Sequence, residues 1–133
     1  MTGENIEFPG IVGTQIFKFF DLSLAKTGLS LKEALARNLD AVSHSVTRTD
    51  RSGYYPGAEM VKLELVSEKD SGKIFGATVA CGSNAAAFID PVAVAITGGM
   101  TARDLAWLDA AYAPPFAPVW NALLSAAFKA IKT

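Results

Sequence analysis

The segment from residue 61 to residue 81 constrains the fold more strongly than any other part of this sequence. In 61–65 apolar residues alternate with charged ones, which is the pattern of a β-strand with one buried and one exposed face. Residues 69–72 are Lys-Asp-Ser-Gly, a turn sequence, and the apolar segment 74–81 follows. These features predict a β-hairpin, with Gly76 marking a bulge or a close contact in its second arm.

Two segments before the hairpin predict further strands, and a third predicts a short helix. Residues 10–21 are rich in β-branched and aromatic side chains, as strands prefer. In 42–48 the side chains alternate between two faces of a strand. Ser30 and Glu33 have the spacing of a capping box, and the apolar residues of 31–39 fall on one helical face. The residues expected on one face of the 42–48 strand are Val42, His44, Val46 and Arg48.

The last third of the chain predicts helices, and the start of the first one has two readings. In one, Asn84 caps a helix over 85–97 that contains Pro91 and is kinked there. In the other, Asp90 is the cap and Pro91 is the first helical residue. Both readings end the helix at the glycines of 98–99.

Two more helices are predicted after these glycines. Thr101 caps the first, with Asp104 three residues later. The prolines in 112–118 predict an extended segment, and Pro118 is expected to open a last helix whose apolar residues recur every four positions through 119–131. Strands in the first part of the chain and helices in the last part indicate an α+β fold.

Composition excludes several functional classes for these 133 residues. The net charge is −1 with dispersed lysines and arginines, so neither a nucleic acid nor a membrane surface is an expected partner. No apolar stretch approaches the roughly 20 residues of a membrane span. A single cysteine, Cys81, excludes a disulfide framework and favours a reducing cytoplasm. Half of the residues are hydrophobic, which indicates either a large core or apolar surface buried against a partner.

Catalytic and cofactor-binding motifs are not found in the sequence. A GxGxxG fingerprint, a phosphate loop with its lysine, paired histidines and a Gly-x-Ser-x-Gly elbow are all missing. We therefore expect this chain to hold no cofactor and no metal. His44, the single histidine, is interpreted as a packed strand residue, and Cys81 as a small buried side chain.

Two aromatic segments carry the remaining functional signal. Residues 52–58 hold adjacent tyrosines between glycine and Pro-Gly, and 112–120 hold three aromatic rings among three prolines. Tyrosine combines an apolar ring with a polar tip, which suits an interface or a wet pocket. The same rings would also serve to cover the core near its loops, and composition does not separate these two roles.

Read in order, three segments resemble one family over nearly the whole chain. Residues 10–30 are similar to the opening of the C-terminal dimerisation domain of pyridine nucleotide-disulfide oxidoreductases. Residues 54–82, with Tyr-Tyr-Pro-Gly-Ala and the hairpin, resemble its middle, and 88–127, with Tyr-Ala-Pro-Pro-Phe, resemble its end. The resemblance is nearest to the coenzyme A-disulfide reductase and NADH oxidase branch. It implies an α+β domain with an antiparallel sheet and helices packed on one side.

The resemblance also implies what surrounds such a domain. Family members carry an FAD domain and an NAD(P)H domain first, and this domain then builds a homodimer and completes the partner subunit's active site. The redox cysteine of the family lies in the FAD domain, so Cys81 is not its counterpart. Two family tyrosines reach the partner's cysteine region. Tyr54 and Tyr112 are the matching catalytic candidates, with Tyr55 as the neighbour of the first.

The expected domain organisation follows from the same resemblance. Residues 1–9 are interpreted as a leader or cut linker and 10–133 as the dimerisation domain of an FAD-dependent NAD(P)H:disulfide reductase. The alternative is a freestanding homodimerisation module without catalytic activity. Two departures from the family pattern are Pro91, inside a helix that usually lacks proline, and the less polar segment 82–88.

Overall fold

The computed structural model describes residues 7–8, 10–82 and 84–132. Its centre is a five-stranded antiparallel sheet with the strand order β1-β2-β5-β4-β3. The strands are β1 (Gln15–Phe19), β2 (Leu22–Gly28), β3 (Ala41–Thr49), β4 (Met60–Glu68) and β5 (Ile74–Cys81). The helices are α1 (Leu31–Ala36), α2 (Ala86–Thr97), α3 (Ala102–Ala106) and α4 (Ala122–Ala130). The predicted α+β class is confirmed.

One face of the sheet forms the core with the C-terminal helices. Leu63 of β4 lies opposite Val46 of β3 and Val79 of β5, and Val79 in turn lies opposite Ala25 of β2. Alternation along each strand therefore directs the predicted apolar set to one side. Helix α2 packs on β5 and β2, and α4 packs on β3 and β4. The fully buried side chains of this core include Val61, Leu63, Leu65, Ile74, Ile89 and Val92.

The N-terminal part of the sheet corrects the prediction of one strand over 10–21. The chain forms β1, turns at Phe20 and Asp21, and returns as β2, which pairs with both β1 and β5. Phe20 has a φ of 52°, an uncommon conformation for a bulky residue. This turn contains no glycine, proline or asparagine, so the sequence pattern predicted a continuous strand across it.

Gly76 fulfils both of its predicted roles. The β4–β5 register shifts beside it, from Val66 opposite Gly76 to Ser67 opposite Ile74, so the strand contains a bulge. A Cβ atom on Gly76 would lie 2.2 Å from the Leu29 carbonyl oxygen. The backbone following β2 thus passes over β5 at a distance that only glycine permits.

Helix α2 follows the first of its two readings. The Asn84 side chain accepts a hydrogen bond from the Ala86 N–H at 3.1 Å, although Ala85 is the N-cap residue by backbone conformation. Asp90 and Pro91 both lie inside the helix, so the reading with Asp90 as cap is wrong. The helix ends at Gly98, as predicted.

The capping predictions for the short helices are confirmed, but the start of the last helix is not where it was expected. Ser30 with Glu33, and Thr101 with Asp104, form complete capping boxes. Helix α4 begins at Ala122 rather than at Pro118, because the Asn121 side chain accepts the Leu124 N–H at 2.9 Å. The segment expected to be extended contains a turn, bridged by Ala113 and Ala117.

Candidate functional site

The segment that carries Tyr54 and Tyr55 is a loop with a closed neck between β3 and β4. The Asp50 N–H donates to the Glu59 carbonyl oxygen at 2.9 Å, and the Glu59 N–H donates to Asp50 Oδ1 at 2.9 Å. Inside the loop, the Tyr55 N–H donates to the Ser52 carbonyl oxygen at 2.8 Å. These hydrogen bonds fix the backbone of the loop on both sides of Tyr54 and Tyr55.

A charge pair at the base of this loop reinforces the neck. Arg51 Nη2 lies 2.8 Å from Asp50 Oδ2, and only 8% of the Asp50 side chain is exposed. Burial alone would raise the pKa of the Asp50 carboxyl. The hydrogen bonds from Arg51 and from the Glu59 N–H, together with the Arg51 charge, outweigh burial and lower this pKa below its ordinary value of 3.8. The same pair raises the pKa of Arg51, so both groups stay charged near neutral pH.

The second aromatic segment is tied to the first by the backbone. The Ser52 N–H donates to the Pro114 carbonyl oxygen at 3.1 Å, and Ser52 itself is buried. Phe116 lies with Asp50 on the wall of a small cavity between the loops and α2. Although 62 positions separate Ser52 from Pro114 in the sequence, the fold brings the two tyrosine-bearing segments together.

The candidate catalytic tyrosines are both on the surface of the chain. Tyr54 is 79% exposed, Tyr112 is 54% exposed and Tyr55 is 37% exposed. None of these rings belongs to the buried core cluster. Their roles toward a second subunit remain a prediction.

His44 and Cys81 occupy structural positions, in agreement with their interpretation. Cys81 is 1% exposed and belongs to the core cluster opposite Val61. His44 is buried on β3 opposite Leu65. Burial, followed by the charge of Lys129, lowers the pKa of His44 below 6.5, so the imidazole is neutral at neutral pH.

Among the described residues, the N-termini of α1, α3 and α4 do not fit the phosphates of FAD or NAD(P)H. Such phosphates bind where a glycine-rich loop presents free amides at the start of a helix. Here side chains already occupy these positions: Ser30 on α1, Thr101 on α3 and Asn121 on α4. In the part of the chain that the structure covers, no group of three potential metal ligands occurs, and no helix is long and apolar enough to cross a membrane. We assign no flavin chemistry to this chain's own residues.

Two arrangements near the tyrosine loops were not anticipated from the sequence. The Asp50–Arg51 pair was missed because adjacent opposite charges are common on surfaces and carry no pattern of their own. An aromatic cluster was also missed, in which Phe128 makes edge-to-face contacts with Trp107 at 5.3 Å and with Trp120 at 4.9 Å. The four-residue spacing identified Leu123 and Ala127 as buried, but Val119 lies outside the helix and is exposed. The spacing also gave no sign of the rings that other segments bring to α4.

Comparison with known proteins assigns the fold to a family. Residues 14–123 match the model of the "Pyridine nucleotide-disulphide oxidoreductase, dimerisation domain". The chain belongs to this family. The resemblance found in the sequence is therefore confirmed, including its coenzyme A-disulfide reductase and NADH oxidase branch, since relatives with both names match.

Three relatives illustrate the similarity of this domain to known enzymes. The NAD(P)H sulfur oxidoreductase (CoA-dependent) of Pyrococcus furiosus is 40% identical over 93% of this chain and 28% of its own length. The coenzyme A disulfide reductase of Staphylococcus epidermidis is 36% identical over 84% of this chain and 25% of its own length. The structure of an NAD-dependent persulfide reductase from A. fulgidus superposes with a TM-score of 0.93 at 37% identity, covering 98% of this chain and 24% of the other. The domain thus spans about a quarter of each relative.

The neck of the tyrosine loop gives a testable effect on stability. Asp50→Asn should lower the free energy of unfolding at pH 7 by about 1–3 kcal/mol, because the buried Asp50 carboxylate loses its charged hydrogen bonds with the partly exposed Arg51. The folded-state pKa of Asp50 is depressed, so its contribution is complete above 3.8 and is lost as the pH falls through the lower folded value. Urea unfolding at several pH values should therefore show the two proteins converging in acid. Asp21→Asn, in the exposed β1–β2 turn, is the matched control. Equal stability of Asp50→Asn and wild type at pH 7 would contradict this role.

Proposed function

We propose that this domain is the C-terminal part of an FAD-dependent NAD(P)H:disulfide oxidoreductase and that it completes the active site of the partner subunit in a homodimer. Tyr54 and Tyr112 are the residues proposed to reach that site. The flavin, the nicotinamide and the redox cysteine belong to other domains of the parent protein. A cytoplasmic location fits reductase chemistry and the single, buried Cys81.

The observation that carries the proposal is the hydrogen bond between Ser52 and Pro114, which joins the two tyrosine loops. It makes one surface from two segments that are separate in the sequence. The phenols on this surface are exposed rather than bonded into the core, so they are accessible to a second molecule. Similarity to coenzyme A-dependent and persulfide reductases supports a sulfur substrate for the parent enzyme.

A phenol at this position has a defined chemical use. A hydroxyl donates one hydrogen bond, and a thiolate is an acceptor that this bond stabilises. When a disulfide or persulfide is cleaved, negative charge develops on the leaving sulfur. A tyrosine held beside that sulfur lowers the energy of the charged state more than that of the neutral substrate. We assign this role to Tyr54 and Tyr112, with Tyr55 as the alternative to Tyr54.

Exposed apolar side chains near the tyrosines support the dimer. We define the loop surface by Tyr54, Leu108, Tyr112 and Phe116, all of which are exposed. Phe116 is 83% exposed, which is costly for a phenylalanine that never leaves water. Homodimer interfaces are more apolar than ordinary surface, and an apolar surface of this kind is typical of them.

Phe116→Lys tests the interface directly. We expect the wild-type chain to sediment as a dimer at micromolar concentration and the variant to raise the dimer dissociation constant about tenfold or more, because an ammonium group would be buried without a partner. Leu35→Lys is the control, since Leu35 is also an exposed apolar side chain but lies on α1. A monomeric wild type, or equal weakening by both variants, would overturn the loop surface as the interface.

A further inference from the structure

The buried face of β3 carries a polar group that the proposed function does not use. His44, the single histidine of the chain, is 5% exposed. Its Nε2 atom is buried and makes no hydrogen bond, and among the described residues it is the one buried side-chain nitrogen or oxygen atom of which this is true. Buried polar atoms are almost always paired, so this exception calls for a physical explanation.

His44 lies where β3, β4 and α4 meet. Leu65 of β4 is opposite His44, and both Leu65 and Leu63, on the same face of β4, are fully buried. Helix α4 packs on both strands, and Lys129 Nζ donates across this contact to the Ser45 carbonyl oxygen at 3.2 Å. The imidazole of His44 is therefore enclosed by apolar side chains between the sheet and α4.

The neutral imidazole fits this place, whereas the protonated form does not. A neutral imidazole has one N–H donor and one acceptor nitrogen, but protonation makes both nitrogens donors. The Nε2–H of His44 would then carry positive charge without an acceptor among the described residues. Leaving a buried charged donor unpaired costs more than leaving a neutral nitrogen unpaired. Burial is accordingly the larger cause that lowers the pKa of His44 below 6.5.

The charged groups on the neighbouring strands and on α4 do not stabilise a protonated His44. On α4 the charged residue is Lys129, which lowers the pKa of His44 in the same direction as burial and less strongly. On β3 the charged residue of the same face is Arg48, four positions further along the strand. The charged residues of β4 alternate onto the opposite face of the sheet: Lys62, Glu64 and Glu68.

Helix α1 also packs on β3, and it supplies no acceptor to His44 either. The charged residues of α1 and of the segment that follows it are all exposed: Lys32, Glu33, Arg37 and Asp40. In the part of the chain that the structure describes, burial and Lys129 are thus the two causes that act on the pKa of His44.

We propose that His44 is an acid-sensitive switch for α4: protonation of its imidazole releases α4 from β3. The protonated Nε2–H needs an acceptor, and this buried atom meets water when α4 moves away from the sheet. Release breaks two hydrogen bonds between the elements, from Arg48 Nε to Ser125 Oγ and from Lys129 Nζ to the Ser45 carbonyl oxygen. It also exposes the buried apolar side chains of α4, so the closed state is favoured until protonation offsets this cost.

The direction of the pKa shift sets the pH range of the switch. The folded-state pKa of His44 lies below 6.5, so the open state binds the proton more tightly. The contribution of His44 to the packing of α4 is therefore complete above pH 6.5 and is lost as the pH falls through the lower folded value. This loss begins at a higher pH than that of Asp50, whose ordinary pKa is 3.8.

Proton NMR of the 133-residue chain measures the titration of His44 alone, since a single histidine gives a single set of imidazole resonances. We expect a midpoint below that of the same residue in the urea-unfolded chain. A midpoint equal to or above the unfolded one would overturn the proposal, because protonation of the buried imidazole would then carry no cost.

Amide hydrogen exchange, corrected for the intrinsic rate at each pH, measures the release of α4. Between pH 7 and pH 5 the protection of the α4 amides should fall about five- to twentyfold relative to that of the β5 amides, because an open state with a pKa near 6.5 gains population over this range. Unchanged protection of α4, or an equal fall in α4 and β5, would overturn the release of α4.

Variants without a titrating group at this position locate the effect. In His44→Leu, or in His44→Gln if the first does not fold by circular dichroism, the protection of α4 should be the same at pH 5 and pH 7. Thr47→His in the same background is the control, since it returns a histidine to the exposed face of β3 and should not restore the pH dependence. A pH dependence that persists without His44, or that Thr47→His restores, would assign it to another group and overturn the proposal.

Discussion

Gly76→Ala should destabilise this domain by about 3 kcal/mol or more, enough to remove a large part of the stability of a domain this size. The added Cβ would lie 2.2 Å from the Leu29 carbonyl oxygen, 2.5 Å from the Leu29 nitrogen and 2.7 Å from the Thr27 carbonyl oxygen. All three are backbone atoms, so no flexible side chain can move aside. Relief would require breaking the 2.8 Å hydrogen bond from the Leu29 N–H to the Phe75 carbonyl oxygen. Urea unfolding followed by circular dichroism measures the loss.

Gly53→Ala is the control for this substitution. The nearest atoms to a Cβ on Gly53 belong to the Thr49 side chain and lie 4.0 Å away, which is ordinary contact. We expect a change within about 0.5 kcal/mol there, as for most surface substitutions. If Gly76→Ala unfolds at the same urea concentration as Gly53→Ala, the close approach of β5 to the end of β2 is wrong.

Tyr54→Phe and Tyr112→Phe together, made in the full-length enzyme that we propose, should lower kcat by about ten- to a hundredfold. The rings remain, so packing at the dimer contact is retained, and only the two hydrogen-bond donors are lost. KM should change much less than kcat if the phenols act on the developing thiolate rather than on the bound substrate. Stability and dimerisation should stay within experimental error of the wild type, because both hydroxyls belong to exposed side chains.

Tyr55→Phe distinguishes the two adjacent tyrosines. Tyr55 lies in the same loop as Tyr54 and is the less exposed of the two. Removing its hydroxyl therefore serves as the control for removing that of Tyr54. A full rate in the double variant would make Tyr54 and Tyr112 structural residues. A large loss in Tyr55→Phe with none in Tyr54→Phe would move the catalytic assignment by one residue.

Features set by near neighbours in the chain were predictable from the sequence. The capping boxes at Ser30 and Thr101 depend on residues three positions apart, and both are present in the structure. The β4–β5 hairpin depends on alternation and on a turn sequence between its arms, and its buried face is the one predicted. The family resemblance was also recognisable from the sequence, because it depends on the order and spacing of short segments along the chain.

Features that depend on distant contacts were predicted poorly. The turn at Phe20 and Asp21 contains no glycine, proline or asparagine, and it is fixed by the pairing of β2 with β5, which lies far later in the chain. Helix α4 starts at Ala122 and not at Pro118 because the preceding segment turns back through Ala113 and Ala117 instead of entering the helix. Local propensity is weak compared with such pairings, and it is outweighed where they form.

The sequence by itself determined the fold class, the hairpin, the caps of α1 and α3 and the choice of the candidate tyrosines. Only the tertiary structure decided that the loops of Tyr54 and Tyr112 meet through Ser52 and Pro114, and that α4 packs on the strand that carries His44. The physical reason is the distance along the chain between the residues that each feature requires. Capping and strand alternation arise from atoms within a few residues of each other, whereas a shared surface requires the sheet and helices to be packed before its members become neighbours.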